Sequence, residues 1–366
     1  MEIESLAAFD AHLHARPRDL TRCRIQAVDL AERGWELRSA DVSDAVFLGC
    51  GLSESVTGDL RQRGALVFPQ APHLPFDPYR GSLYTPQELY DGIDQKPYEQ
   101  TPDALAHAWH QGPLERENVL DDVLRGMHDS SVTDALGKYV AGKRVVGMIG
   151  GHALSRDSYS FREAARLGRI LARAGFTVAT SGGPGAMEAA NLGAYLAPHS
   201  DSALDEALAV LESARDARDV TAWVRAAFAV RGAYPSAGSG ESLAVPTWSH
   251  GHQPPNAFAS GIAKFLGRAA RDDWFLSGSA FDLLFLPGAA GTVRDIFEAA
   301  APLYYTPIGA ATRRLILVGA DHWTRKFPVW PLMTAMSYSR PMATTIHLVD
   351  STDEAAAVLT GARSAR

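Results

Sequence analysis

The sequence predicts an α/β protein whose main part is a doubly wound parallel sheet of the Rossmann type, preceded by a smaller α/β unit. Three observations carry this. From Lys143 onward, apolar runs of strand length alternate with helical stretches. Two of those runs end in glycine-rich turns, Thr180–Asn191 and Leu286–Asp295, and each turn opens a helix. A chain of 366 residues is also too long for one ordinary core,.

The N-terminal unit is expected over residues 1–138. Ala45–Gly49 reads as a strand, Ser53–Arg63 as a helix and Gly64–Pro69 as a second strand, an order that implies parallel pairing,. Prolines and aromatics between Pro69 and Tyr84 indicate an ordered loop. Thr85-Pro86-Gln87-Glu88 joins a capping box to a proline at the first helical position, so a helix should start there,. Residues 102–139 read as further helix, broken at Gly112-Pro113.

Residues 139–366 form the second domain. Arg144–Gly151 is a buried strand ending in glycines. Phe161, Ala164, Ala165, Gly168 and Leu171 keep helical spacing, and Gly175 stands where the residue after a helix end belongs,. Phe176–Thr180 is the strand that runs into the first glycine turn. Residues 201–231 are helical, and Leu243–Trp248 is a strand despite Pro246. Asp282–Leu286 leads into the second turn. The helix after it carries Val293, Ile296, Phe297 and Ala300 on one face. Arg314–Val318 and Thr345–Val349 are the last strands.

Composition excludes several classes. Apolar content of 46 % and charged content of 21 % are those of a globular protein,. A net charge of −7 offers no general attraction to nucleic acid or to an anionic membrane,. No apolar run reaches the roughly 20 residues of a membrane span. The acidic start Met1–Ser5 is no signal peptide, and two cysteines, Cys23 and Cys50, make no disulfide framework,. A cytoplasmic protein is the expectation.

The glycine turns carry the chemistry. Glycine exposes bare backbone N–H groups, and a helix start adds unpaired donors and the positive end of the macrodipole, which together hold phosphate. Gly150 and Gly151, then Gly182, Gly183, Gly185, Met187 and Glu188, then Gly288, Ala289, Ala290, Gly291 and Thr292 are the candidate phosphate and nucleotide contacts. Two such sites imply one nucleotide gripped from both sides. Glu188 either bonds ribose hydroxyls or complements the helix dipole. Asp295 also fits a capping box with Thr292, and Glu298 lies one turn further on. The loop His250–Asn256 supplies His250, His252 and Asn256 as candidate pocket residues. Phe9-Asp10-Ala11-His12-Leu13-His14 has the DxHxH form of a metal motif, with both histidines facing the same way if the segment is a strand,.

Tyr159, Ala164 and Leu167-Gly168, followed by Gly182–Ala194, resemble the GGGPGxMEAANxGA segment of the Lonely Guy family, also labelled lysine decarboxylase-like. The second turn resembles that family's PGGxGTxxE segment, and the similarity spans residues 143–350. It implies a nucleoside 5′-monophosphate phosphoribohydrolase, which cleaves the N-glycosidic bond to free base and ribose 5-phosphate. It also implies a homo-oligomer and needs no metal or other cofactor. The family's catalytic arginine falls on Arg271, with Arg268 as the alternative, and its catalytic acid falls on Asp295. Three departures stand out: Ala289 replaces the second glycine, Arg294 replaces the first acid, and Asp295 replaces glutamate. The shorter acid retracts its carboxylate by about 1.5 Å, and a misplacement of about 1 Å can cost on the order of 10²-fold in rate. Two other classes therefore stay open. One is a non-catalytic nucleotide sensor. The other is a metal-dependent hydrolase using His12 and His14.

Overall fold

A computed structural model describes residues 1–112, 119–235, 240–249, 253–310 and 312–361. The chain divides into two compact units. One comprises Met1–Ser82 with the described part of Pro113–Leu136; the other comprises Leu83–Gly112 and Gly137–Arg366. The segment Leu83–Gly112, assigned from the sequence to the first unit, therefore belongs with the second.

In the first unit a four-stranded parallel sheet runs in chain order: β1 (Glu2–Ile3), β2 (Arg24–Gln26), β3 (Val46–Leu48) and β4 (Leu66–Phe68). Helices α1 (Leu6–Ala15), α2 (Gly34–Ser39) and α3 (Glu54–Gln62) connect the strands. Ile3, Phe9, Ile25, Leu37, Phe47 and Leu60 fill the core. The expected β3–α3–β4 unit and its parallel pairing are present, and Ser53 caps α3 through its side chain.

The DxHxH stretch is not a strand. Ser5 accepts from the Ala8 N–H at 3.1 Å and starts α1, which buries Phe9 and His12. Residues two apart on a helix do not share a face. The Nε2 of His12 lies 2.8 Å from the Asp19 carbonyl oxygen, so that nitrogen is engaged by backbone. Among the described residues no group of three or more His, Cys, Asp or Glu is placed to hold a metal ion. The metal-hydrolase reading thus loses the geometry it needed.

In chain order, the second unit begins with α4 (Pro86–Leu89) and α5 (Pro102–His110), and α6 (Val119–Val140) carries the chain back into it. Thr85 caps α4 with Pro86 in the first turn, as the sequence indicates. The sheet is formed by β5 (Arg144–Ile149), β6 (Phe176–Thr180), β7 (Ser242–Ala244), β8 (Gly261–Ile262), β9 (Asp282–Phe285), β10 (Leu315–Val318) and β11 (Ile346–Val349). Their spatial order is β11-β10-β9-β5-β6-β7-β8, and every pairing is parallel. The chain builds outward from β5 to β8, then returns to place β9 on the other side of β5. This is a doubly wound sheet with its switch point between β5 and β9, and ligands bind outside the carboxyl ends of the strands at such a point.

Helices α7 (Tyr159–Arg173), α8 (Ala186–Tyr195), α9 (Asp201–Glu212), α10 (Val220–Ala233), α11 (Arg268–Asp272), α12 (Ala290–Tyr304), α13 (Val329–Ser337) and α14 (Thr352–Thr360) complete the unit. Strands β6, β9 and β10 are apolar and buried almost throughout, as strands covered on both faces must be,. A buried polar cluster ties α5 to the sheet: Asp103 accepts from Tyr98 Oη at 2.6 Å, from Trp248 Nε1 at 3.0 Å and from Lys264 Nζ. No helix among the described residues is long and apolar enough to cross a membrane.

Candidate functional site

A cavity of about 610 Å3 opens at the carboxyl ends of β5, β6, β7 and β9, at the switch point. Both glycine turns border it. Gly150 and Gly151 line it from the end of β5, Gly183 and Met187 from the first turn, and Gly288, Ala289, Gly291 and Thr292 from the second. Arg271 and Asp295 line it as well.

One backbone unit, the residue Gly151, joins the two turns. The Gly151 N–H donates to the Pro287 carbonyl at 3.1 Å, and the Gly151 carbonyl accepts from the Ala186 N–H at 3.1 Å. Gly185 sits directly against this unit with φ +73°, and a Cβ there would lie 2.5 Å from the Gly151 oxygen and 2.7 Å from the His152 oxygen. Only glycine fits.

The turns differ in what they offer a ligand. The first donor of α8, Ala186 N–H, is already spent on Gly151. Helix α12 has Ala289 as its N-cap and no side chain bonded to its first turn. Thr292 in that turn is only 6 % exposed, lines the cavity and lies against Gly288. The capping-box reading of Thr292–Asp295 is corrected here. The helix starts three residues earlier, so Asp295 stands in its second turn and caps nothing.

Charged groups meet across the cavity wall. Arg271 is 6 % exposed, donates from Nε to the Val245 carbonyl at 3.2 Å and pairs with Asp272. Arg294 Nη2 lies 3.2 Å from Asp272 Oδ2, and Asp295 Oδ1 accepts from Arg294 Nε at 3.0 Å and Nη2 at 2.5 Å. Arg268 is exposed and bonded to Asp272 at 3.1 Å, outside the cavity lining, so of these two arginines Arg271 is the one that borders the cavity. The lining carries three cations, Arg271, Arg294 and Lys326, against one carboxylate, Asp295.

Other expected contacts fall elsewhere. Glu188 is committed to protein: its carboxylate accepts from Arg156 Nε at 3.1 Å and Nη2 at 2.5 Å, and from Trp223 Nε1 at 3.2 Å. Glu188 and Gly185 border a second, adjoining cavity instead. Asn256 supports the first turn from behind, donating to the Gly182 carbonyl at 3.1 Å and to Asn191 Oδ1 at 2.9 Å. Neither Asn256 nor Gly182 is among the lining residues, nor is Ala290, and Glu298 is exposed on α12 away from the cavity. His250 and His252 lie outside the described residues.

The sequence missed His152, Gln253, His322 and Lys326, all of which line the cavity. His322 and Lys326 bound a π-helical turn just after β10, a local irregularity found often at functional sites,. His322 Nε2 is 2.8 Å from the Gly288 carbonyl oxygen and holds the second turn in place. The available signal was position, since polar residues just beyond strand carboxyl ends are where such sheets put their sites.

No family model matches the chain, and no curated protein matches it. Solved structures with some likeness include the molybdenum cofactor binding protein of the phototrophic bacterium Rippkaea orientalis, at 14 % identity over 60 % of this chain and 96 % of that one, with a TM-score of 0.38. The molybdenum cofactor carrier protein of Chlamydomonas reinhardtii is 17 % identical over 61 % of this chain and 99 % of that one, with a TM-score of 0.37.

Proposed function

We propose that the cavity binds a nucleoside 5′-monophosphate and that the protein hydrolyses its N-glycosidic bond to free base and ribose 5-phosphate. The observation that carries this is the convergence of the two glycine turns, Arg271 and Asp295 on one cavity at the switch point. The motif resemblance to the Lonely Guy family supports the same reaction.

In this reading the phosphate rests on the open start of α12, among Gly288, Gly291 and the buried Thr292 hydroxyl, where backbone donors and the helix dipole favour a dianion. The excess of lining cations adds to the attraction. Cleavage builds positive charge on the ribose. The Asp295 carboxylate opposes that charge, orients the attacking water and takes its proton as the water oxygen bonds to the anomeric carbon, while the base departs with the electron pair of the broken bond and takes up a proton from solvent. Arg271, linked to Asp295 through Asp272 and Arg294, holds the ligand beside it. No step calls on a metal or a redox group.

The Arg294–Asp295 contact favours a second reading, a non-catalytic nucleotide-binding protein. A guanidinium bonded to the carboxylate offsets the negative charge that cleavage would use. Incubation with AMP, GMP, CMP and UMP, followed by chromatography for free base, separates the two. Base release supports the hydrolase. Ligand-dependent thermal stabilisation without base supports the binding protein. Absence of both for all four nucleotides overturns the nucleotide reading. The homo-oligomer that the resemblance implies is read directly by light scattering.

A further inference from the structure

The second cavity, about 940 Å3, shares four lining residues with the first: His152, Ala153, Leu154 and Gln253. We infer that the cleft is built for a dinucleotide, two nucleosides joined through a pyrophosphate, with one half in each cavity. This rests on the nucleotide reading above and names a larger ligand class for the same site.

Size is the first argument. The first cavity alone falls within the roughly 300–1,000 Å3 that one small ligand occupies. A mononucleotide therefore leaves the whole second cavity empty. Character is the second. Pro184, Val220 and Pro254 give the second cavity flat apolar surface of the kind a heterocyclic base packs against, and Arg215 and Arg218 stand on its rim. His152, Ala153, Leu154 and Gln253 line both cavities, so the two adjoin along one border. Charge is the third. A pyrophosphate diester carries two negative charges, and Arg271, Arg294 and Lys326 line the first cavity, the two arginines sharing Asp272 and Arg294 also bonded to Asp295.

The second cavity is also held in shape. Arg156, buried and paired with Glu188, donates from Nη1 to the Ala214 carbonyl at 2.9 Å and from Nη2 to the Trp223 carbonyl at 3.0 Å. These bonds fasten the α9–α10 connection, which bears Arg215 and Arg218, to the start of α8. The buried acid of the first glycine turn thus builds the second cavity rather than touching a ribose. The placement agrees with the sheet. The first cavity spans the switch point, from Gly183 after β6 to Gly288 after β9, and the second continues from it past Pro184 and Gly185, so a ligand filling both lies across the carboxyl ends of the strands,.

Calorimetry with AMP, ADP and P1,P2-di(adenosine-5′) diphosphate tests this on the full-length protein, with ligand integrity checked by chromatography. The dinucleotide is expected to bind at least about tenfold tighter than AMP or ADP. In the Ala217→Trp variant, whose indole intrudes on the second cavity, the dinucleotide-to-AMP ratio is expected to fall to about one. Arg218→Glu, at an exposed position, is expected to lower the same ratio. Equal affinities in the unaltered protein overturn the inference, as does a full gain already present with ADP or a ratio that both variants leave unchanged. Failure of all three ligands to bind overturns the nucleotide reading itself, which keeps the two failures distinct.

Discussion

Alanine at Gly185 and alanine at Gly291 should have opposite consequences, although both glycines belong to the same pair of turns. At Gly185 the backbone has φ +73° and ψ −130°, a region that costs a residue with a side chain on the order of 1–3 kcal/mol,. The new Cβ would lie 2.5 and 2.7 Å from two backbone oxygens, and relieving that overlap moves the Gly151 peptide and weakens its bond from Ala186. One such bond is worth about 1 kcal/mol. The total is about 3 kcal/mol, or a fall in melting temperature of about 6–12 °C for a unit of this size. Gly291 is different: a Cβ there meets nothing within 4 Å, and the residue sits in the first turn of α12. Alanine should stabilise that helix by about 0.5–1 kcal/mol. The same methyl group occupies space at the phosphate position, so affinity for AMP should drop at least about tenfold, about 1.4 kcal/mol. Circular dichroism melts and calorimetry on both variants read the two effects separately. A Gly185→Ala protein as stable as the original, or a Gly291→Ala protein that binds AMP undiminished, would refute the reasoning.

Three further outcomes are expected. Asp295→Asn keeps the shape of the cavity wall and should retain AMP binding while base release falls by about 10²-fold or more, measured by chromatography; an unchanged rate would remove Asp295 from the reaction. Lys264→Met leaves Asp103 buried without its cation and should cost about 3–5 kcal/mol in urea unfolding, with much of it recovered in Lys264→Met/Asp103→Asn, whose neutral amide still meets Tyr98 and Trp248,. Burial holds the His128 imidazole below its ordinary 6.5, so the unfolded chain takes up that proton first,. The stability it contributes is present above about pH 6.5 and lost as pH falls from there through the lower folded value, and His128→Phe should flatten that part of the melting-temperature profile.

The sheet was legible because its strands are nearly continuous apolar runs bounded by glycine, and such runs survive any tertiary context. What escaped were pieces whose signal is short or borrowed. Strand β8 has two residues, Gly261–Ile262, and no periodicity can appear in two residues. The stretch Phe9–His14 alternates apolar and polar side chains like a strand, yet Ser5 caps a helix there and Phe9 packs into the core. The α12 start was placed too late because Thr292-to-Asp295 spacing mimics a cap, while the true cap, Ala289, bears no capping side chain. In the site, motif position points to Arg271 and Asp295, and the structure brings both to the cavity. Glu188 stands in the first turn of α8, where it complements the dipole, but its pairing with Arg156 is not legible, because no local pattern announces a buried ion pair between residues 32 apart.

Gly151 has a mechanical consequence. Its N–H, in the peptide before it, and its C=O, in the peptide after it, are each claimed by a different glycine turn, so neither peptide can rotate without breaking a bond. Strain applied to either loop is therefore shared by the other, and the pair moves as one stiff clamp. Adaptation of this cleft to a new ligand would have to come from side chains on its border, along His152–Leu154 and at Arg215 and Arg218, while the clamp itself stays fixed.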